Sequence, residues 1–305
     1  MTFVQRRLDV EFKLGVNLAT GKQNTFDSTG SDTVTLKDLR ITAAITQSGG
    51  QSQGEAEIDI FGMTVSVMNK LSTLGLSPRT IGPNFVTLLA GDTETQPSVV
   101  FQGAISDAYF DASAMPDVAF RVSAQSGAFT PFSPCPPRSY PEPVSIDAVM
   151  GSIAKIMGLT LENKGVTGTL PPTYLYGSSK TQAYAAATAG NFNINFDTPT
   201  KMIIFPKGKP ATDKIIILSK KTGMVGYPAY VSKGIQVRTI FNPEISYGST
   251  IKIESELLTA ANGDWIVFHL AHDLESRQPN GQWFSTIQAY PPGSSFGGPG
   301  QNALG

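Results

Sequence analysis

Apolar residues fall at every second position in one short stretch of this chain after another. Over 4–14 (VQRRLDVEFKL), Leu8, Val10, Phe12 and Leu14 share one face of a strand, because successive side chains of an extended chain point to opposite sides. The same alternation predicts strands at 33–46, 55–61, 84–90, 98–110 and 117–124. A change of parity near Asp38 predicts a β-bulge within 33–46. Turn-formers such as GGQSQG (49–54) separate the strands. Only MTVSVMNKLSTLG (63–75) shows helical spacing here, through Val67, Met68, Leu71 and Leu74, with Gly75 as its stop. About six strands and one short helix in the first 127 residues imply an antiparallel barrel or sandwich. Composition agrees: charged residues are 15% of the 305, which include 30 glycines and 21 prolines.

Residues 129–143 hold six prolines in fifteen positions. Proline fixes φ and cannot donate to a ladder, so this segment reads as an extended linker. It contains Cys135, with nothing beside it in sequence that would activate a thiol. The pattern then turns helical. SIDAVMGSIAKIMG (145–158) spaces Ile146, Val149, Ile153, Ile156 and Met157 along one face, between Ser145 as cap and Gly158 as stop. A second helix follows at 178–190, capped by Ser178 and stopped by Gly190, and then a hairpin at 191–197 and 201–207. Strands return at 213–219, 235–242, 249–258, 264–274 and 282–290, with 222–234 read as a loop with turns. The expected organisation is therefore a first β-barrel domain at 1–128, a linker at 129–143, a small α+β domain at 144–210, a second β-barrel domain at 211–290 and a flexible Gly/Pro-rich tail at 291–305. The polar loop 17–32 and this tail are expected to face partners.

The hairpin at 99–124 is echoed at 266–289. Each has a β-branched pair, then Phe, an alternating strand, a polar loop with Pro, and a returning aromatic-bearing strand that ends in Ala. The echo fits a duplicated barrel, and it also fits two unrelated meanders.

Several functional classes are excluded or disfavoured by residue counts. The formal net charge is −1 and the pI is about 6.1, whereas a sequence-independent nucleic-acid binder needs a basic excess. One cysteine allows no intrachain disulfide and no cysteine zinc site. His269 and His272 are three apart on a predicted strand, so they point to opposite faces and cannot share a metal. GVNLATGK (15–22) departs from a phosphate loop in spacing, and Gln23 follows Lys22 where Ser or Thr is needed. Glu254 and Glu256 share one strand face, which suits solvent better than a glycosidase pair. No apolar run reaches the roughly 18 residues of a membrane span. The N-terminus carries charges where a signal peptide needs an apolar core, so a soluble, cytoplasmically made protein is expected. The reading is of a non-enzyme with no catalytic residue, cofactor or metal.

Three segments together resemble a known family. They are EIDIFGMTVSVMNKLST with FVTLLAGDTETQPSVVFQGAISDAYF (85–110), the insert starting VSIDAVMGSIAKIMGL, and TGMVGYPAYVSKGIQVRTIFNPEISYGSTIKIES (222–255) followed by NGDWIVFHLAHDLESRQPNGQWFSTIQAY (262–290). The order Gly226-Tyr227-Pro228, Asn242-Pro243, Gly248, Asn262-Gly263 and His272 resembles the baseplate hub proteins of tailed bacteriophages, related to the hub part of type VI secretion spike proteins. The resemblance covers about residues 5 to 290. It implies a mainly β fold: two related antiparallel β-barrel tube-like domains plus a small α+β domain. It implies a homotrimeric ring with pseudo-sixfold symmetry that joins a sixfold tail tube to a threefold spike. DNA would pass through the lumen without specific binding. Expected partners are further copies of the chain, the tail spike protein and the tail tube or tube-initiator protein, with tape measure and wedge proteins beyond them. Larger relatives carry a fused lysin domain, for which this chain has no room. Contractile and long flexible tails both use such hubs, and compactness favours the contractile type. Phe241, Trp283 and Phe296 are the aromatic residues expected at interfaces. The competing class is a carbohydrate- or receptor-binding β module of a virion tail tip.

Overall fold

In the computed structural model, the alternating segments form strands and the helical ones form helices. Residues 4–18, 20–49, 54–73, 82–113, 115–126, 135–196, 201–232 and 234–294 are described. Contacts divide the chain into two units: Met1–Thr46, Gly54–Ala128 and His272–Phe284 in the first, and Gln47–Gln53, Phe129–Ala271 and Ser285–Gly305 in the second.

The first unit contains β1 (Arg6–Lys13), β2 (Thr33–Leu36), β3 (Arg40–Ser48), β4 (Glu55–Phe61), α1 (Val65–Leu71), β5 (Phe85–Asp92), β6 (Ser98–Asp111) and β7 (Ala119–Gln125). Its strands run in the order β3-β4-β7-β6-β5-β1-β2, antiparallel at every step. Leu8, Val10, Phe12, Ile41, Ile45, Ile58, Ile60, Leu88 and Phe120 fill its core. Each contributes about 1.5–3 kcal/mol by leaving water. In α1 the buried residues are Met68 and Leu71. The expected stop Gly75 lies outside the described residues. The parity change near Asp38 is a turn instead of a bulge. β2 ends at Leu36, β3 begins at Arg40, and Asp38 sits at φ +61, a left-handed conformation that Asp enters more readily than most residues.

The α+β part comprises β8 (Arg138–Tyr140), β9 (Val144–Ser145), α2 (Ile146–Ile156), β10 (Thr160–Asn163), β11 (Thr169–Leu170), β12 (Thr173–Leu175), α3 (Ser179–Ala189), β13 (Phe192–Asn195) and β14 (Lys201–Pro206). The predicted hairpin is the antiparallel pair β13–β14. On the other side of β14 lies β10, in parallel, a pairing that local periodicity does not reveal. Ile146, Val149, Met150 and Ile153 of α2 pack into one core with Ala183, Ala186 and Ala187 of α3. The Ser178 hydroxyl caps α3 by accepting from the Thr181 amide at 3.2 Å. Ser145 holds the equivalent position on α2 but makes no side-chain cap bond. Gly158, just past the helix, takes φ +69.

The remaining strands are β15 (Ile215–Ser219), β16 (Met224–Val231), β17 (Gly234–Ile240), β18 (Thr250–Glu254), β19 (Gly263–Ser276) and β20 (Trp283–Tyr290). Residues 222–234, expected as a loop, instead contain β16. Gly226 and Pro228 suggested turns, but β16 is a terminal strand, where proline need not donate to a ladder. A register shift between Val225 and Ala229 absorbs the Gly-Tyr-Pro segment. The strand order is β16-β17-β20-β19-β3, with β18 against β19 and β15 against β18.

That order repeats the first unit. β3-β4-β7-β6-β5-β1 corresponds strand for strand to β16-β17-β20-β19-β18-β15, and each set also runs in the same chain order. The hairpins match in length: β6 and β19 have 14 residues each, while β7 and β20 have 7 and 8. One step differs. β1 is antiparallel to β5, whereas β15 is parallel to β18.

Close approach in the second unit rules out any side chain at Gly49. A Cβ there would lie 1.9 Å from the Tyr247 ring, which packs 5.6 Å from Phe205. Gly49→Ala is expected to displace Tyr247 and cost about 1–3 kcal/mol by overpacking. A urea midpoint unchanged from the parent would refute this.

Candidate interaction surfaces

The loop between β1 and β2, expected as a polar arm, is held by its own bonds. The Asp27 carboxylate accepts from the Thr29 amide at 3.0 Å, the Thr29 hydroxyl at 2.6 Å and the Ser31 amide at 3.2 Å. These bonds, the Thr29 hydroxyl first, hold the carboxyl below its usual range.

Among the exposed large apolar side chains, several fall into three groups. On the terminal strands of the second unit, Ile215 and Ile217 project from β15, and Val225, Tyr227 and Tyr230 from β16. Tyr227 and Tyr230 are 59% and 58% exposed. At the far end of the β6–β7 hairpin, Tyr109, Phe110 and Met115 are exposed. In the α+β part, Tyr174 and Tyr176 alternate onto one side, and their rings stack at 5.9 Å.

The outward face of β4, β7 and β6 is acidic. Arg121 of β7 lies 2.9 Å from Asp111 and 3.8 Å from Asp59. Burial raises the Asp59 carboxyl, against the pull of Arg121. Asp111 is lowered, first by the Ser113 side chain. These pairs are too solvated to stabilise the fold by much.

The residues singled out from sequence are placed as follows. Phe241 is 9% exposed and Trp283 is 6% exposed. The Arg6 guanidinium sits 5.6 Å from the Trp283 ring and donates to the Gly281 carbonyl at 3.1 Å. Arg6 and Glu275 border an open groove of about 540 Å³. Phe296 lies outside the described residues. Cys135 is buried. His269 Nδ1 lies 2.7 Å from the Ser48 hydroxyl, and His272 is buried. Among the described residues, no group of three or more His, Cys, Asp or Glu could hold a metal ion. No helix among them is long and apolar enough to cross a membrane. Sequence reading missed the exposed tyrosines of β16 because it took 222–234 for a loop. The spacing of two between Tyr174 and Tyr176 was the available signal for the other pair.

A repeated strand order in a mainly antiparallel sheet, with apolar terminal strands and a small α+β part, defines the class of fold. Solved structures share this fold. The tail protein from Neisseria meningitidis MC58 superposes with a TM-score of 0.62 at 7% identity, covering 94% of this chain and 97% of that one. The 43 kDa tail protein of prophage MuSo2 from Shewanella oneidensis gives 0.58 at 10% identity, covering 93% and 97%. The E. coli c3393 protein, a type VI secretion component similar in structure to the T4 tail proteins gp27 and gp5, gives 0.58 at 11%, covering 88% and 77%. No curated protein matches in sequence. The model of the family described as "Baseplate hub gp41" matches residues 22–287, and the chain belongs to that family. It is thus a structural protein of the phage tail baseplate, as the sequence resemblance implied.

Proposed function

We propose that three copies of this chain close into a ring that joins the sixfold tail tube to the threefold spike. The observation that supports this is the repeated strand order. Two like sets of strands in each of three chains would present six like units on one side while the ring remains threefold. DNA would pass through the lumen, and the acidic face of β4, β7 and β6 would not grip phosphates if turned inward. The functional divisions are those read from sequence: 1–128, 129–143, 144–210, 211–290 and 291–305. The spike and the tube or tube-initiator protein are the direct partners, with tape measure and wedge proteins beyond them. Assembly takes place in the host cytoplasm, and the chain catalyses no reaction. As interface anchors, the exposed side chains of β15 and β16 come before the buried Phe241 and Trp283, and Phe296 is a further position.

Light scattering with negative-stain images tests the ring. The expected species has three times 32.4 kDa, about 97 kDa, and an axial hole. A chain that stays monomeric both alone and co-expressed with its spike overturns it. The exposed Tyr174–Tyr176 stack favours one competing reading, a carbohydrate-binding tail-tip module. Specific glycan-array binding without ring formation would establish that reading instead.

A further inference from the structure

β15 holds in the second set of strands the place that β1 holds in the first. β1 has a neighbour on each side: β5 along its whole length, and β2 along Val10–Lys13. Among the described residues, β15 has β18 alone. The segments on either side of β15, 207–214 and 220–223, contain no strand, so the adjoining chain supplies nothing in place of β2. Ile216 and Leu218 of β15 are buried, whereas Ile215 and Ile217 are 50% and 44% exposed. At the end of the strand the Thr222 hydroxyl donates to the Ile217 carbonyl at 2.7 Å and accepts from the Ser219 amide at 2.8 Å. Alternate residues of a strand turn their backbone groups to the same edge, so those of Ile215 lie on this edge too, ahead of the clasp. One side chain thus closes the end of the edge and leaves the stretch before it available for pairing.

We propose that β15 is the docking edge for an extended segment of a different protein, which adds to it as a strand. The segment sets apolar residues beside Ile215 and Ile217 and a carboxylate against Lys220 and Lys221. This contact is additional to the ring and independent of it. Main-chain bonds along the edge supply affinity, and the alternate side chains supply specificity. A bare apolar edge invites aggregation, and a fitted strand covers it as β2 covers β1. Charge identifies the flank of the occupant. Lys220 and Lys221 are exposed just past β15, while Lys214, at its start, already pairs with Glu244. Charge also disfavours a second copy of this chain, because like charges set side by side across strands are destabilising. Two copies of β15 would bring their own lysines together, and β16 begins just after the same lysines. The carboxylate next to β2, Asp32, is already held by Lys13 at 3.7 Å. An acidic, apolar-alternating strand therefore comes from another protein.

The probe is a fluorescein-labelled synthetic peptide, Glu-Glu-Val-Thr-Val-Thr-Val-Glu-Glu, titrated with the full chain. Saturable binding by fluorescence anisotropy is expected, with hydrogen exchange slowed at the amides of Ile215 and Ile217. Methylating the peptide amides of one alternation should abolish binding, and methylating the other should spare it, because only one set faces β15. Ile215→Thr with Ile217→Thr keeps strand-forming residues at exposed positions. It is expected to weaken binding roughly tenfold, the scale of two lost cross-strand pairs, with an unchanged melting curve. Lys220→Glu with Lys221→Glu, on an exposed turn, should weaken it as well. Absence of binding, or binding indifferent to methylation and to both substitutions, overturns the proposal. So does protection of β15 that develops in the chain alone as its concentration rises, since the occupant is then a second copy. Light scattering of the same samples reads the ring separately, so failure of one is distinguishable from failure of the other.

Discussion

Phe120→Ala is expected to lower the stability of the first unit by about 3–5 kcal/mol, the range for removing a large side chain from a core that cannot collapse around the gap. Phe120 is completely buried. It stands on β7 opposite Ile60 of β4 and Phe110 of β6, so ladders on both sides hold the backbone and limit relaxation. Ile60, directly opposite, and the next pair along the same ladder face, Ile58 and Val122, are buried as well. Urea denaturation followed by limited proteolysis of the first unit measures the effect. A loss below about 1 kcal/mol, the scale of an ordinary substitution, would show that β7 is not the rigid centre of this sheet.

Acid is expected to destabilise the protein through His272. Burial lowers its pKa from 6.5 to about 4, so the folded state holds the imidazole neutral. In the unfolded chain the ring takes a proton near pH 6.5. Between those values the unfolded state binds more protons, and stability therefore falls as pH falls. The contribution is complete above pH 6.5, declines toward pH 4 and changes no further below it. At about 1.4 kcal/mol per pKa unit, the span is roughly 3 kcal/mol. Asp59, raised by burial, acts in the opposite direction, so the comparison needs a variant. Urea midpoints at pH 7.5 and 4.5 should differ more for the parent than for His272→Gln. Equal pH dependence in the two would exclude His272 as the source.

The strands around Leu8, Val10, Phe12, Ile58 and Ile60 were legible because a sheet with one dry face demands alternation. The helix around Ile146, Val149 and Ile153 was legible because one buried helical face demands spacing of three and four. β16 was not legible. Gly226 and Pro228 are turn residues wherever a strand has neighbours on both sides, and no local pattern tells that a strand is terminal. The exposed tyrosines of β16 were hidden with it, and the aromatics chosen instead, Phe241 and Trp283, pack inside the chain. Asp38 shows the same limit. A parity change is read equally from a bulge and from a turn, and only the backbone φ separates them.

By itself the sequence determined the class of fold, the separate α+β part, the echo between two hairpins and the resemblance to phage baseplate hubs. These depend on side-chain periodicity and residue type, which are local properties. Only the tertiary structure decided that β10 and β15 run parallel to β14 and β18, and that two sets of strands share one order. It alone showed that β1 has a neighbour which β15 lacks. Those facts depend on which distant backbones meet, and backbone hydrogen bonding is nearly blind to the side chains that sequence records.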